Sequence, residues 1–237
     1  VKVIVKPVEF TENNRTFETI GTGQAKLSAE IYPAVEDEVV AVNFNLQQKV
    51  KKGDVLVKLD DREEKLAVRL REVELKDARA LLNRYEEAVK EGAVPQSQVD
   101  TTKAEYEAAR VALDQAKLDL AYHEITAPFD GYVGIPTIDI GDRIGPQTMI
   151  TGLDQRDMLY IHFEVPETLV GQLHQAMQDK QEITLRTPSF PQREFTGTIS
   201  AIEGRVNEDS RTITTRVVID NKDDLLRPGM SFSTKWV

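Results

Sequence analysis

The amino-acid sequence predicts a mixed α and β, multidomain, elongated chain. A long antiparallel α-helical coiled-coil hairpin is inserted in a β-module split into two halves, and a small antiparallel β-barrel with one capping helix follows. Three observations predict this. Two helical runs between residues 61 and 122 keep a heptad apolar stripe and break once, at Gly92-Ala93-Val94-Pro95. A short β motif occurs on both sides of those runs. Beyond residue 157 the chain turns into strand-length runs with a period of two.

Residues 1–22 alternate weakly, with Val3 and Val5 and then Phe17 and Ile20 ahead of Gly21-Thr22-Gly23, which predicts one or two strands and a break. Lys26–Tyr32, Val39–Phe44 and Val55–Leu59 are short β runs punctuated by Pro33 and by the turn Lys51-Lys52-Gly53-Asp54. In the first helical run Val68, Leu75, Leu82 and Val89 recur every seven residues, with Ala78 and Tyr85 between them and Arg71 as the misfit. In the second, Val99, Thr102, Tyr106, Ala109, Leu113, Ala116 and Leu120 alternate steps of three and four, the pattern of a seam against a partner helix. Arms of about 28 residues reach roughly 40 Å. Acid-first pairs four residues apart, Asp61/Lys65, Glu72/Lys76 and Glu86/Lys90, describe a solvated outer face. Gly92 suits the left-handed end of one helix and Pro95 the first turn of the next.

After the hairpin the first motif returns. Ile125-Thr126-Ala127-Pro128-Phe129-Asp130-Gly131-Tyr132-Val133 parallels the stretch from Ile31 to Val39, and Ile140-Gly141-Asp142 parallels the Gly53-Asp54 turn. Two halves that must find each other bring the ends of the hairpin together. Further on, Met158–Val165, Gln181–Arg186, Glu194–Ile202, Ile213–Ile219 and Met230–Val237 read as a small barrel, completed by an early strand. Pro166, followed by Leu169, Val170, Leu173, Ala176 and Met177 at helical spacing, predicts an amphipathic cap.

Composition narrows the function. The net charge of −10 argues against a nucleic-acid partner, because phosphate binding needs a basic face. The absence of cysteine removes disulfides, thiolate metal sites and cysteine catalysis. His123, His162 and His174 have no metal-ligand spacing, and Met149, Met158, Met177 and Met230 are scattered as core residues are. Asp60-Asp61 and Asp223-Asp224 suit turns and helix starts, so no triad or paired-acid motif stands out. The expectation is a protein that is not an enzyme, with no cofactor and no metal.

Pro33 through Val50-Lys51-Lys52-Gly53-Asp54-Val55-Leu56 to Leu59-Asp60 resembles the first half of a lipoyl-like (barrel-sandwich hybrid) module, and Ile125 through Gly134 its second half. Gly197-Thr198-Ile199, Arg211-Thr212, Asn221 and Leu226-Arg227-Pro228-Gly229-Met230 resemble the barrel signature of the same family. On these residues the chain is similar to the HlyD-like periplasmic adaptors, or membrane fusion proteins, of resistance-nodulation-division (RND) tripartite efflux systems. The resemblance implies a Gram-negative adaptor bridging an inner-membrane RND pump and an outer-membrane channel protein for transport of drugs or other small molecules. It further implies self-assembly as a trimer or hexamer. The location implied is the periplasm, with inner-membrane anchoring through an amino-terminal segment outside this chain. Adaptors of type I secretion or of ATP-driven exporters share the modules and stand as the alternative. A lipoyl or biotinyl carrier is more remote, since Lys58 and Lys65 lack an attachment context.

The expected division is 61–122 for the hairpin, 25–60 with 123–154 for the lipoyl-like module, and 1–24 with 155–237 for the barrel, the membrane-proximal domain being largely missing. Gly21-Thr22-Gly23 and residues 152–157 are expected to act as hinges. Asp37 stands where the family has a turn glycine, an exchange that a left-handed Asp would tolerate. The partner-binding site is expected at the hairpin tip: Arg84, Ala88, Val89, Gly92, Ala93, Val94 and Pro95. Arg84 matches the family's tip pattern of Arg, Leu four later and Ser eleven later, whereas Ala88 and Pro95 do not.

Overall fold

The structure is a computed structural model that describes residues 17–236, so the strand expected around Val3 and Val5 lies outside the described residues. In chain order the elements are β1 (Phe17–Ile31), β2 (Asp37–Val42), β3 (Lys49–Val50), β4 (Val55–Leu59), α1 (Arg62–Lys90), α2 (Gln96–Ala121), β5 (Glu124–Thr126), β6 (Gly131–Val133), β7 (Arg143–Ile144) and β8 (Thr151–Pro166). They continue with α3 (Val170–Gln178), β9 (Glu182–Arg186), β10 (Glu194–Ile202), β11 (Thr212–Asp220) and β12 (Ser231–Trp236). The chain divides into two units, one running through Leu27 and resuming at Gln155, the other comprising Ser28–Asp154.

In the first unit, period-two patterning becomes a closed barrel. Ile213, Thr215, Val217 and Ile219 of β11 are buried in alternation, as are Leu159, Ile161, Phe163 and Val165 of β8. Six strands follow one another in the order β1-β12-β9-β10-β11-β8, and β8 pairs back to β1. Closure leaves the barrel without a free edge. Leu173 of α3 is buried in the same cluster, with Leu169, Val170, Ala176 and Met177 packed on it, so the capping helix forms where the apolar spacing places it. The Leu226–Met230 signature has a physical basis here. Buried Asn221 donates from Nδ2 to the carbonyls of Arg156 (2.8 Å) and Leu226 (3.0 Å) and accepts at Oδ1 from the Leu226 N–H (2.9 Å), fixing the loop that leads into β12.

The expected break at Gly21-Thr22-Gly23 is corrected. β1 runs without interruption from Phe17 to Ile31, and Gly21 and Thr22 pair with Phe232 and Ser231 inside the barrel. These glycines serve close approach. A Cβ on Gly21 would lie 2.5 Å from the His162 carbonyl oxygen and 2.6 Å from Phe163 Cδ1. The chain crosses between the units after Leu27 instead, and crosses again after Asp154, inside the expected 152–157 stretch.

In the second unit the two halves interleave. β4 of the first half pairs with β5 of the second, β3 with β6, and β2 with β7, around a core that includes Val39, Leu56, Val57, Leu59, Ile125, Val133, Ile144 and Leu153. The duplication read from the sequence is visible atom by atom in the two turns. Asp54 Oδ2 accepts from the Lys51 N–H and Asp142 Oδ2 from the Asp139 N–H, both at 2.8 Å, and Gly53 (φ 89°) and Gly141 (φ 95°) take the same left-handed conformation. Asp37 corrects the expectation of a left-handed turn residue. It opens β2 opposite Ile144 and is absent from the positive-φ residues, so the position needs no glycine.

Candidate functional site

Two helices of this second unit lie between β4 and β5 in the chain and pack on each other. The 29-residue α1 and 26-residue α2 each reach roughly 40 Å. Their facing residues follow the heptad pattern: Leu82, Val99, Thr102, Leu113 and Ala116 are buried, and Val68, Leu75, Ala78, Tyr85, Val89, Tyr106, Ala109 and Leu120 are half-buried. Thr102 returns its hydroxyl to the Gln98 carbonyl (2.8 Å), so a polar residue sits in the seam with its donor satisfied. Arg71, the misfit, points outward and pairs with Glu74 at 2.8 Å.

The turn between the helices has a defined geometry. The Ala93 N–H donates to the Ala88 carbonyl (2.9 Å) and the Gly92 N–H to the Val89 carbonyl (3.0 Å), the paired bonds of a Schellman ending, with Gly92 at φ 71°. Pro95 takes extended backbone as the N-cap of α2 and its carbonyl accepts from the Gln98 N–H (3.0 Å), so it precedes the first turn it was expected to occupy. Arg84, Gly92, Ala93 and Pro95 are exposed, while Ala88, Val89 and Val94 are half-buried. The exposed apolar cluster is thus smaller than the tip reading of the sequence suggests, because Ala88, Val89 and Val94 are each half-buried. Arg84 is exposed and makes no ion pair with any described residue.

At the opposite end of the helices lies a charged cluster of which the sequence reading had only the Asp61/Lys65 pair, expected on a solvated face; the structure keeps that pair and buries Asp61. Asp61 is buried and takes Lys58 (3.1 Å) and Lys65 (2.9 Å). Burial works to raise its carboxyl pKa, and the hydrogen bonds from Lys65 and Lys58 outweigh that and hold it below the usual range. Lys58 is pushed up by its hydrogen bonds to Asp61 and Glu124. His123, buried just past α2, lies 3.6 Å from Glu64 and 3.7 Å from Asp37. His162 is lowered by burial and then by Arg216 across the strand pair, and His174 bonds the Val170 carbonyl of its own helix. The three histidines occupy separate places, and among the described residues no group of three or more His, Cys, Asp or Glu is arranged to hold a metal. No helix among them is long and apolar enough to cross a membrane.

Residues 27–150 match the family described as the RND MFP barrel-sandwich hybrid domain, and residues 159–237 match the CusB-like β-barrel domain. The chain belongs to the RND membrane fusion proteins. It is 29% identical over 227 residues to multidrug resistance protein MdtA of Photorhabdus laumondii, covering 88% of this chain and 57% of that protein. It is likewise 29% identical over 231 residues to MdtA of Yersinia pseudotuberculosis, covering 88% and 52%. The chain therefore spans about half the length of the curated relatives it matches. Among solved structures it resembles a MacA–MexA chimera carrying the Pseudomonas aeruginosa MexA α-hairpin domain, with a TM-score of 0.79 at 20% identity over 93% of this chain and 80% of that one. At that identity the likeness describes the fold. In this membrane fusion protein α1 and α2 lie within the residues 27–150 that match the barrel-sandwich hybrid domain.

Proposed function

We propose that this membrane fusion protein is the periplasmic adaptor of an RND-type efflux system, holding an inner-membrane pump and an outer-membrane channel protein together for export of drugs or other small molecules and doing no chemistry itself. The observation that carries the reading is the helix pair. A seam-packed pair of this length, ending in a rigid turn, has only that turn free to meet a distant partner. The pair acts as a coiled-coil hairpin over 61–122, the module over 25–60 and 123–154 is its lipoyl-like base, and 155–237 with 1–24 is the barrel domain.

Self-assembly into a trimer or hexamer is supported by apolar residues the seam does not use. Leu66, Leu70 and Val73 of α1 are 63%, 56% and 56% exposed, and Val111 and Leu118 of α2 are 66% and 46% exposed. On helices with 3.6 residues per turn, both sets lie on the backs of their helices, opposite the seam. Folding back at residues 91–95 sets them at the same height. The back of α1 in one copy therefore fits the back of α2 in the next, a heterologous contact that closes into a ring.

Docking to the channel rests on Arg84, Gly92, Ala93 and Pro95, with Ala88, Val89 and Val94 shaping the turn from beneath. Arg84 offers a planar set of donors to carbonyls or carboxylates on a partner helix pair. The test is Arg84→Asp and Ala93→Asp, with Glu72→Gln as a surface control, in cells carrying the pump. Each tip variant is expected to reduce cross-linking to the channel about tenfold or more and to lower efflux at normal protein levels. Full cross-linking and full efflux in both tip variants would place the docking site elsewhere.

A further inference from the structure

In the barrel wall a pinned arginine stands beside a histidine that has no acceptor for a second proton. Arg216 of β11 and His162 of β8 are direct partners across the antiparallel pair, so their side chains rise on the same face with Cβ atoms about 5 Å apart. The arginine is held in place. Its Nε donates to Ser200 Oγ (3.1 Å), the Ser200 hydroxyl donates in turn to the Arg216 carbonyl (3.2 Å), and the guanidinium lies over the Tyr160 ring, 4.5 Å from its centroid. Ser200 is the extra residue of a β-bulge, where the β10–β11 register shifts between Ile199 and Ala201. On the histidine, Nδ1 is buried and has no hydrogen-bond partner among the described residues. A neutral ring accommodates this by carrying its hydrogen on Nε2 and leaving Nδ1 a bare lone pair. A protonated ring must place an N–H there, with nothing to receive it and a fixed guanidinium alongside. The other flank is closed by β1, since a Cβ on Gly21 would lie 2.5 Å from the His162 carbonyl oxygen.

We propose that His162 and Arg216 form an acid-sensitive latch in the barrel wall, which holds β8 against β11 while the imidazole is neutral and loosens that seam when the imidazole takes a second proton. The carboxylates on the same face do not offset the added charge. Glu164, two residues along β8, has both oxygens engaged on β11, Oε2 by the Thr212 hydroxyl (2.7 Å) and Oε1 by the Thr214 hydroxyl (2.9 Å). Glu18 of β1 stands opposite Lys235 of β12. On β11 the outward neighbours of Arg216 are Thr214 and Val218, and on β10 Ser200 is the residue that meets it. Burial and then Arg216 hold the His162 pKa below the ordinary 6.5. The stability that depends on the neutral ring is therefore fully present above about pH 6.5 and is lost as pH falls through the lowered value.

The inference does not depend on the adaptor role and is tested on the isolated 237-residue chain. An NMR titration of the His162 ring should give a midpoint below about 6.5, and Arg216→Gln, which removes the neighbouring charge, should move that midpoint upward. Amide hydrogen exchange at Ile161 and Val217, partners in the same strand pair, should lose protection between pH 7.5 and pH 5 after correction for intrinsic rate. His162→Gln should abolish that loss. Should either variant fail to fold, the native chain still decides, through its titration midpoint and through nitrogen-15 NMR that should find the neutral ring's hydrogen on Nε2. A midpoint at or above 6.5, an unchanged midpoint in Arg216→Gln, or a neutral ring with its hydrogen on Nδ1 would each overturn the latch. So would protection at Ile161 and Val217 that is flat with pH in the native chain or equally pH-dependent in His162→Gln.

Discussion

Replacing Asn221 by Asp gives a sharp test of what closes the barrel. The side chain is 1% exposed and makes three hydrogen bonds, two as donor to the Arg156 and Leu226 carbonyls and one as acceptor from the Leu226 N–H. Asn221→Ala leaves all three backbone groups without this partner, at about 1 kcal/mol each, or about 3 kcal/mol together. Asn221→Asp keeps the shape and the acceptor but sets a carboxylate oxygen against two carbonyl oxygens, so it should cost at least as much. Rescue by the neighbouring Arg156 guanidinium is limited, because Asp224 already takes its Nε (2.6 Å) and its NH2 (3.1 Å). For a domain of this size, 1 kcal/mol corresponds to roughly 4–8 °C, so the barrel transition should fall by at least about 12 °C in either variant. Calorimetry resolves that transition, and urea unfolding followed by fluorescence provides a second reading. An Asp variant within about 0.5 kcal/mol of the parent would refute the assignment, because it would mean that the loop does not depend on a donor at that position.

Two further outcomes follow from the helices. Gly92→Ala adds a Cβ that meets nothing within 4 Å, so its cost is conformational, about 1–2 kcal/mol from the left-handed backbone, and should appear as lower exchange protection of the Gly92 and Ala93 amides while the barrel transition is unchanged. Asp61→Asn should destabilise the root by about 1 kcal/mol at pH 7, a value kept small because Lys58 and Lys65 are partly solvated. The carboxyl is held below its usual range, so its contribution is full above about pH 4 and disappears as pH falls through the depressed value. The gap between the parent and the variant should narrow as pH falls through that depressed value, and a gap that never narrows on acidification down to the point where the chain unfolds would contradict the pairing.

Periodicity alone determined the elements whose burial is set locally. The heptad residues Val68 to Val89 and Val99 to Leu120 turn inward because a helix facing one partner has one face to bury, and β8 and β11 alternate because a strand has two. The Gly53 and Gly141 turns were equally legible, since a left-handed residue followed by an Asp that bonds back is a matter of four or five residues. Tertiary structure decided the rest. Gly21 looked like a break until Phe163 came within van der Waals range of it, and Asp37 looked like a turn residue until β7 paired beside it. Ala88 and Val94 are half-buried rather than open at the tip, which depends on how the turn folds back. The cluster of Asp37, Glu64 and His123 draws on residues 27 and 59 positions apart in the sequence, and no local pattern joins them. Their proximity comes from two half-modules interleaving beneath a helix pair, and long-range assembly of that kind leaves no periodic trace in the chain.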